Sequence, residues 1–279
     1  MSDIGGLVFE DAPGAPGHVN LGLYGRPGVG KSSAAVTAPG PILYINAEGG
    51  NALAFPRKLA AERGTQIAEV RLDEHSDVAQ VLRDVVAHVR SSVEPRAQTV
   101  VVDTVGKIRD LLAARMVDQA SKQSMQQWQA VTKIIRGFVQ TMRDEPVNLV
   151  LLAHEDRVDS DDAPTEIRPG FGGVLAEQLT RELDILGYLG RVPATAEAPE
   201  RFVGQLAPAN SRVAKDRSNG LGRSRDVDLA EWIIAFRAAL SPDTSDLPWD
   251  DEGDGAPDDE DQSDDALFEA EVPVQEAPA

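Results

Sequence analysis

Residues 25–32 read Gly-Arg-Pro-Gly-Val-Gly-Lys-Ser, which spaces glycines, a lysine and a hydroxyl as a bound triphosphate requires. The glycines let a loop wrap tightly enough for its backbone N–H groups to approach phosphate oxygens. Lys31 would neutralise the β- and γ-phosphates, and Ser32 would ligate magnesium. The expected nucleotide contacts are therefore Gly25, Arg26, Pro27, Gly28, Val29, Gly30, Lys31, Ser32 and Ser33. Two carboxylates complete the chemistry. Asp103 ends the apolar run Thr99-Val-Val-Val-Asp103, which puts it at the C-terminal edge of a central strand, where a residue supporting magnesium belongs. The alternative is an aspartate that only caps the next helix. Glu48 follows a second strand in Leu43-Tyr-Ile-Asn-Ala-Glu-Gly-Gly50, on the same sheet edge, where a base orienting an attacking water would stand. Its alternative is a surface glutamate in a loop.

These residues need a sheet to hold them. A short apolar strand, His18 to Tyr24, runs straight into the glycine loop; a helix begins at Lys31 to Val36; Pro39-Gly-Pro41 punctuates before the strand Ile42 to Asn46. Val78, Val81, Leu82, Val85, Val86 and Val89 recur at helical spacing before Thr99 to Asp103. Met125, Trp128, Val131, Ile135, Phe138 and Met142 do the same before Val147 to Ala153. Strands without polar alternation are buried on both faces, so the pattern predicts an α/β fold with a mostly parallel central sheet and helices on both faces. Beyond Glu155 the sequence predicts a polar loop to Gly170, a helix near Val174 to Leu183, and strands near Ile185 to Val192 and Arg201 to Leu206. A closing helix is marked by Leu229, Trp232, Ile233, Phe236 and Leu240.

Composition divides the chain into an irregular leader (1–17), one globular domain (18–241) and an acidic tail (242–279) expected to be disordered. Of the 46 acidic residues, fifteen lie in the tail, which has no Lys or Arg; residues 1–241 hold 31 acids against 27 bases. The net charge of −19 thus belongs mostly to the tail, and a body near −4 leaves room for a basic groove. With no cysteine and four histidines, disulfides and thiolate metal sites are ruled out and a histidine zinc site is not expected. No signal-peptide pattern or long apolar span is present, so the expectation is a cytoplasmic protein that does not enter a membrane.

The strand phrase Tyr44-Ile-Asn-Ala-Glu48 shortly after the glycine loop resembles the RecA and RadA class of recombination ATPases. That resemblance implies a RecA-like P-loop fold over residues 18 to 240, ATP and Mg2+ as ligands, and Glu48 as the residue that activates water. Leu149-Val-Leu-Leu-Ala-His154 resembles the γ-phosphate sensor strand of that class, and of phage single-strand annealing ATPases, with histidine where glutamine is frequent. A histidine satisfied by a backbone carbonyl is the other reading of His154. Arg212-Val-Ala-Lys215-Asp-Arg217 resembles the Lys-x-Arg finger that RadA-like ATPases insert into a neighbour's site, which implies a homo-oligomer, ring or filament.

The same resemblance implies a phage-encoded protein acting on single-stranded DNA in annealing or homologous recombination, with residues 155 to 170 as the DNA-contacting loop. That loop holds Asp159, Asp161 and Asp162 against Arg157 and Arg168, a poor match to phosphates. Lys107, Arg109 and Arg115 offer a basic patch instead, without an evident aromatic cluster for base stacking. The tail reads either as a solubilising appendage or as a segment that imitates a nucleic-acid backbone or recruits a replication protein through Leu247-Pro-Trp249. Two rival functions share the loop: a P-loop kinase, which would need an arginine-rich lid, and a non-catalytic adaptor or helicase loader whose nucleotide governs a protein contact.

Overall fold

The computed structural model describes residues 16–91, 94, 96–116, 125–159, 164–194 and 200–241, with the backbone of residues 3–4 and 7–8. The acidic tail, Asp161 and Asp162 lie outside the described residues. The leader is not wholly irregular: β1 (Asp3–Ile4) and β2 (Leu7–Val8) pair antiparallel.

The main body alternates strands and helices in the order β3 (Asn20–Gly25), α1 (Lys31–Ala35), β4 (Ile42–Asn46), α2 (Ala54–Glu62), β5 (Ile67–Arg71), α3 (Val78–Arg90), β6 (Thr99–Asp103), α4 (Val105–Arg115), α5 (Met125–Arg143), β7 (Asn148–Val158), β8 (Glu166–Pro169), α6 (Gly173–Glu182), β9 (Ile185–Val192), β10 (Arg201–Gln205), β11 (Lys215–Asp216), β12 (Ser224–Asp226) and α7 (Leu229–Leu240). In space the sheet runs β12-β10-β9-β3-β7-β6-β4-β5. The six strands from β9 to β5 are mutually parallel, and β10 and β12 continue the edge antiparallel. This is the mostly parallel α/β architecture the apolar strands imply.

The unrelieved apolar runs serve two cores. Successive side chains of a strand point to opposite faces, so Val100 and Val102 pack with α3, α4 and α5 residues such as Val85, Ile108 and Phe138. Val101 turns the other way, toward Ala34, Ala60, Trp232 and Phe236 of α1, α2 and α7. Trp232 is fully buried, and its indole Nε1 donates to Asp226 O at 2.9 Å. The ring occupies the space beside two glycines: a Cβ at Gly204 or Gly187 would stand 2.3 or 3.3 Å from it. Trp232→Ala is expected to lower the unfolding free energy by about 3–5 kcal/mol, read from the denaturant midpoint; an unmoved midpoint would contradict this packing.

A second reading changes. Residues 155 to 170 are not a plain loop, because β7 runs on to Val158 and turns back as β8, pairing Glu155 with Pro169 and Val158 with Glu166. Past Ala153 the strand leaves the buried sheet, both faces are partly solvated, and the apolar signal vanishes although the pairing continues. The short edge strand β5 also escaped, since Ile67–Arg71 is only half-buried. Among the described residues, no helix is long and apolar enough to cross a membrane.

Candidate active site

The C-terminal ends of β3, β7, β6 and β4 meet at one sheet edge, and all the acidic and basic groups expected of a triphosphate site except Lys215 and Arg217 lie there. The loop from β3 to α1 requires glycine at Gly28 and Gly30, whose φ values are 78° and 94°. Lys31, the first residue of α1, turns back under the loop and is 6% exposed. Its Nζ donates to Gly25 O at 3.0 Å and Arg26 O at 2.8 Å, and stands 3.4 Å from His154 Nδ1. Burial pushes the ammonium below its usual pKa, opposed by the nearby charges of Asp103, Glu48 and Glu155. A cation deprived of water in this way gains from an incoming polyphosphate.

Ser32 Oγ donates to Asp103 Oδ2 at 2.7 Å, and the buried Tyr44 hydroxyl donates to the same oxygen at 2.5 Å. Asp103 is 2% exposed; burial raises its pKa, while the hydrogen bonds from Tyr44 and Ser32 hold it down. It does not cap α4. That position belongs to Thr104, whose side chain accepts from Lys107 N. A hydroxyl beside one carboxylate, all oxygen donors, suits a magnesium ion that takes its other ligands from phosphate and water.

Glu48 is held rather than free. Thr104 Oγ1 donates to Glu48 Oε1 at 2.7 Å, and His154 Nε2 lies 3.8 Å from the same oxygen. Asn46, fully buried, shapes the turn: its Oδ1 accepts from the N–H groups of Glu48 and Gly49 at 3.1 and 3.2 Å, and its Nδ2 donates to Glu69. His154 sits with Nδ1 toward the Lys31 ammonium, which can only donate, so the ring proton belongs on Nε2, facing Glu48. Its neighbours are therefore Lys31 and Glu48, rather than the backbone carbonyl of the alternative reading. Arg26 reaches Glu155 at 3.4 Å, and Glu155 in turn accepts from the Tyr188 hydroxyl at 2.9 Å.

Lys215 and Arg217 are elsewhere. β11 pairs with the beginning of β9, beside the beginning of β3, at the opposite edge of the sheet from the phosphate loop. Lys215 Nζ donates to the carbonyls of Thr180, Arg181 and Leu183, and Arg217 to Arg181 O and Asp184, so both close the C-terminal end of α6. Lysine and arginine favour that end of a helix because of its unpaired carbonyls. Reaching a neighbouring subunit would require both to leave these contacts. Sequence reasoning missed Tyr44, Asn46 and Thr104, although the first two lie inside the phrase that flagged Glu48; the signal available was a polar residue at the buried end of an apolar strand.

A family model described as AAA domain matches residues 18–218. No curated protein matches the sequence. Similar solved structures include an ATPase from the type III secretion system of pathogenic bacteria, at 11% identity and TM-score 0.45, covering 62% of this chain and 51% of that one. This chain thus spans about half the length of that protein. A KaiC-like protein from Pyrococcus horikoshii is 14% identical with TM-score 0.41, covering 67% and 79% of the two chains. Flagellar accessory protein FlaH from Methanocaldococcus jannaschii is 11% identical with TM-score 0.37, covering 71% and 80%. With the family model spanning most of the chain and the glycine-lysine-serine loop at the C-terminal edge of a mostly parallel sheet, the chain belongs to the AAA domain family and has a P-loop α/β fold.

Proposed function

We propose that this ATPase binds ATP with Mg2+, hydrolyses it, and couples turnover to single-stranded DNA in annealing or recombination. Lys31 and Ser32 hold the phosphates and the metal, Asp103 supports the metal from behind Ser32, Glu48 orients water, and His154, lying between Lys31 and Glu48, reads the γ-phosphate. Magnesium supplies charge neutralisation at the phosphate oxygens. Glu48 supplies a fixed acceptor for the proton side of the attacking water, and the Thr104 hydroxyl keeps that acceptor oriented.

The observation that carries the DNA reading is a groove of about 920 Å³ between α4, α5 and the start of α6. Arg109, Lys133 and Arg136 line it, no acidic residue does among those described, and Trp128 and Gln140 lie on its α5 wall. The Arg109 guanidinium lies 5.9 Å from the Trp128 ring centroid, pairs with Asp110 Oδ1 at 2.7 Å and donates to Phe171 O at 3.3 Å. Cations that follow a backbone beside an aromatic face are what single strands bind. α4 joins the two sites physically: Thr104, which holds Glu48, caps the helix whose second turn carries Arg109. Of the basic patch expected from sequence, Arg109 belongs to this groove, whereas Arg115 is bonded to His75 O. Assembly into a ring or filament remains part of the proposal, and within one chain Lys215 and Arg217 hold the end of α6.

Replacing Lys133 and Arg136 together with glutamate is expected to weaken single-stranded DNA binding by at least about tenfold and to flatten its salt dependence by roughly one unit per lost phosphate contact. Fluorescence anisotropy over a salt series measures both. Affinity and slope equal to wild type would remove the groove from the DNA path.

A further inference from the structure

The phosphate loop has an aromatic neighbour that the roles above leave unused. Phe202 on β10 lies against Gly30: a Cβ built on that glycine would stand 3.2 Å from ring carbon Cε1 and 3.4 Å from Cδ1. The ring is nevertheless 39% exposed. Register explains the position. β10 runs antiparallel along β9 and pairs Phe202 with Arg191, three residues beyond the Tyr188 that lies beside Tyr24 at the end of β3. Phe202 therefore overhangs the edge from which the phosphate loop springs. Its face follows from alternation along the strand: Gly204 abuts Trp232, and Leu206 packs in the core beneath α1 and α7. Phe202 continues that row on the α1 side, past the last core residue.

The lateral order of the sheet gives the ring a ligand. The groups assigned to the γ-phosphate end, His154 and Glu48, lie on β7 and just past β4, on one side of the phosphate loop. A triphosphate held by Lys31 with its γ end toward them must carry its nucleoside away on the other side, toward β9 and β10. An exposed ring against the loop's last glycine is the flat apolar surface met there. We propose that Phe202 is the base platform of the nucleotide site: the purine of a purine nucleoside triphosphate stacks on its open face while the loop holds the phosphates. The inference rests on the triphosphate reading of the loop and adds the specificity element. A larger π-surface stacks better, so purine nucleotides bind more tightly than pyrimidine nucleotides.

Calorimetric titration of the full chain, in magnesium, with ATP, UTP and inorganic tripolyphosphate tests this. In wild type, ATP binds more tightly than UTP; Phe202→Ala weakens ATP about tenfold, leaves tripolyphosphate within about twofold, and erases the preference over UTP. Phe202→Trp, which keeps an aromatic face, restores tight ATP binding. The proposal is overturned if Phe202→Ala leaves ATP affinity unchanged, or if ATP and tripolyphosphate weaken together, which would make the ring a brace for Gly30. A wild-type chain that binds neither ATP nor tripolyphosphate overturns the triphosphate reading itself; one that binds tripolyphosphate as tightly as ATP overturns the platform alone.

Discussion

Glu48→Gln is expected to lower ATP hydrolysis by about 10²–10⁴-fold while ATP affinity stays within about twofold. The substitution is chosen on geometry. Thr104 Oγ1 donates to Glu48 Oε1 at 2.7 Å, and an amide oxygen accepts the same bond, so the side chain keeps its place and loses only its charge and basicity. His154 Nε2, 3.8 Å away, still faces an oxygen. Single-turnover hydrolysis measured beside equilibrium ATP binding separates the chemical step from occupancy. A loss of binding equal to the loss of rate would make Glu48 a nucleotide contact, and an undiminished rate would place the water-orienting group elsewhere.

Lys31→Ala is expected to weaken ATP binding by about 100-fold or more, because a buried cation facing a polyanion is worth several kcal/mol when its partner arrives. Among the described residues the lysine bonds to two carbonyls and faces an imidazole, and its ammonium is held below its usual pKa by burial. Removing it therefore relieves a desolvation cost in the free protein even as two carbonyls lose a donor, so the effect should appear in the ligand-dependent part of stability. Thermal unfolding with and without ATP and magnesium shows this: wild type gains stability by mass action, and the variant gains almost none. An equal gain in both would contradict the assignment.

The parts of the site visible in the sequence were those that backbone geometry dictates. Gly28 and Gly30 stand at positive φ, and Asp103 ends, and Glu48 closely follows, strands whose burial on both faces writes itself as an apolar run. Tyr44 and Asn46 lay hidden in plain view, since a tyrosine inside a strand reads as packing until its hydroxyl is seen on Asp103. The cation groove was illegible as a cluster because Arg109 sits on α4 and Lys133 and Arg136 on α5. Its one available signal was the row Trp128, Thr132, Arg136 and Gln140, four residues apart along one helix face and all on the groove. Lys215 and Arg217 mark the opposite case. A basic triplet has no property in one dimension that distinguishes a reach toward a neighbour from closure of a helix end, and within one chain its side chains bond the carbonyls at the end of α6. The β7–β8 hairpin escaped because pairing beyond the sheet edge needs no apolar side chains.

Coupling of ATP turnover to DNA is tested by the steady-state rate of ATP hydrolysis by the full chain with and without single-stranded DNA, at low salt and in magnesium. A DNA-stimulated rate that vanishes in Glu48→Gln is the expected result and would join the phosphate loop to the cation groove in one cycle. A rate that DNA leaves unchanged, in a chain that still binds ATP, would contradict the coupling and point instead to a phosphate acceptor or a protein partner.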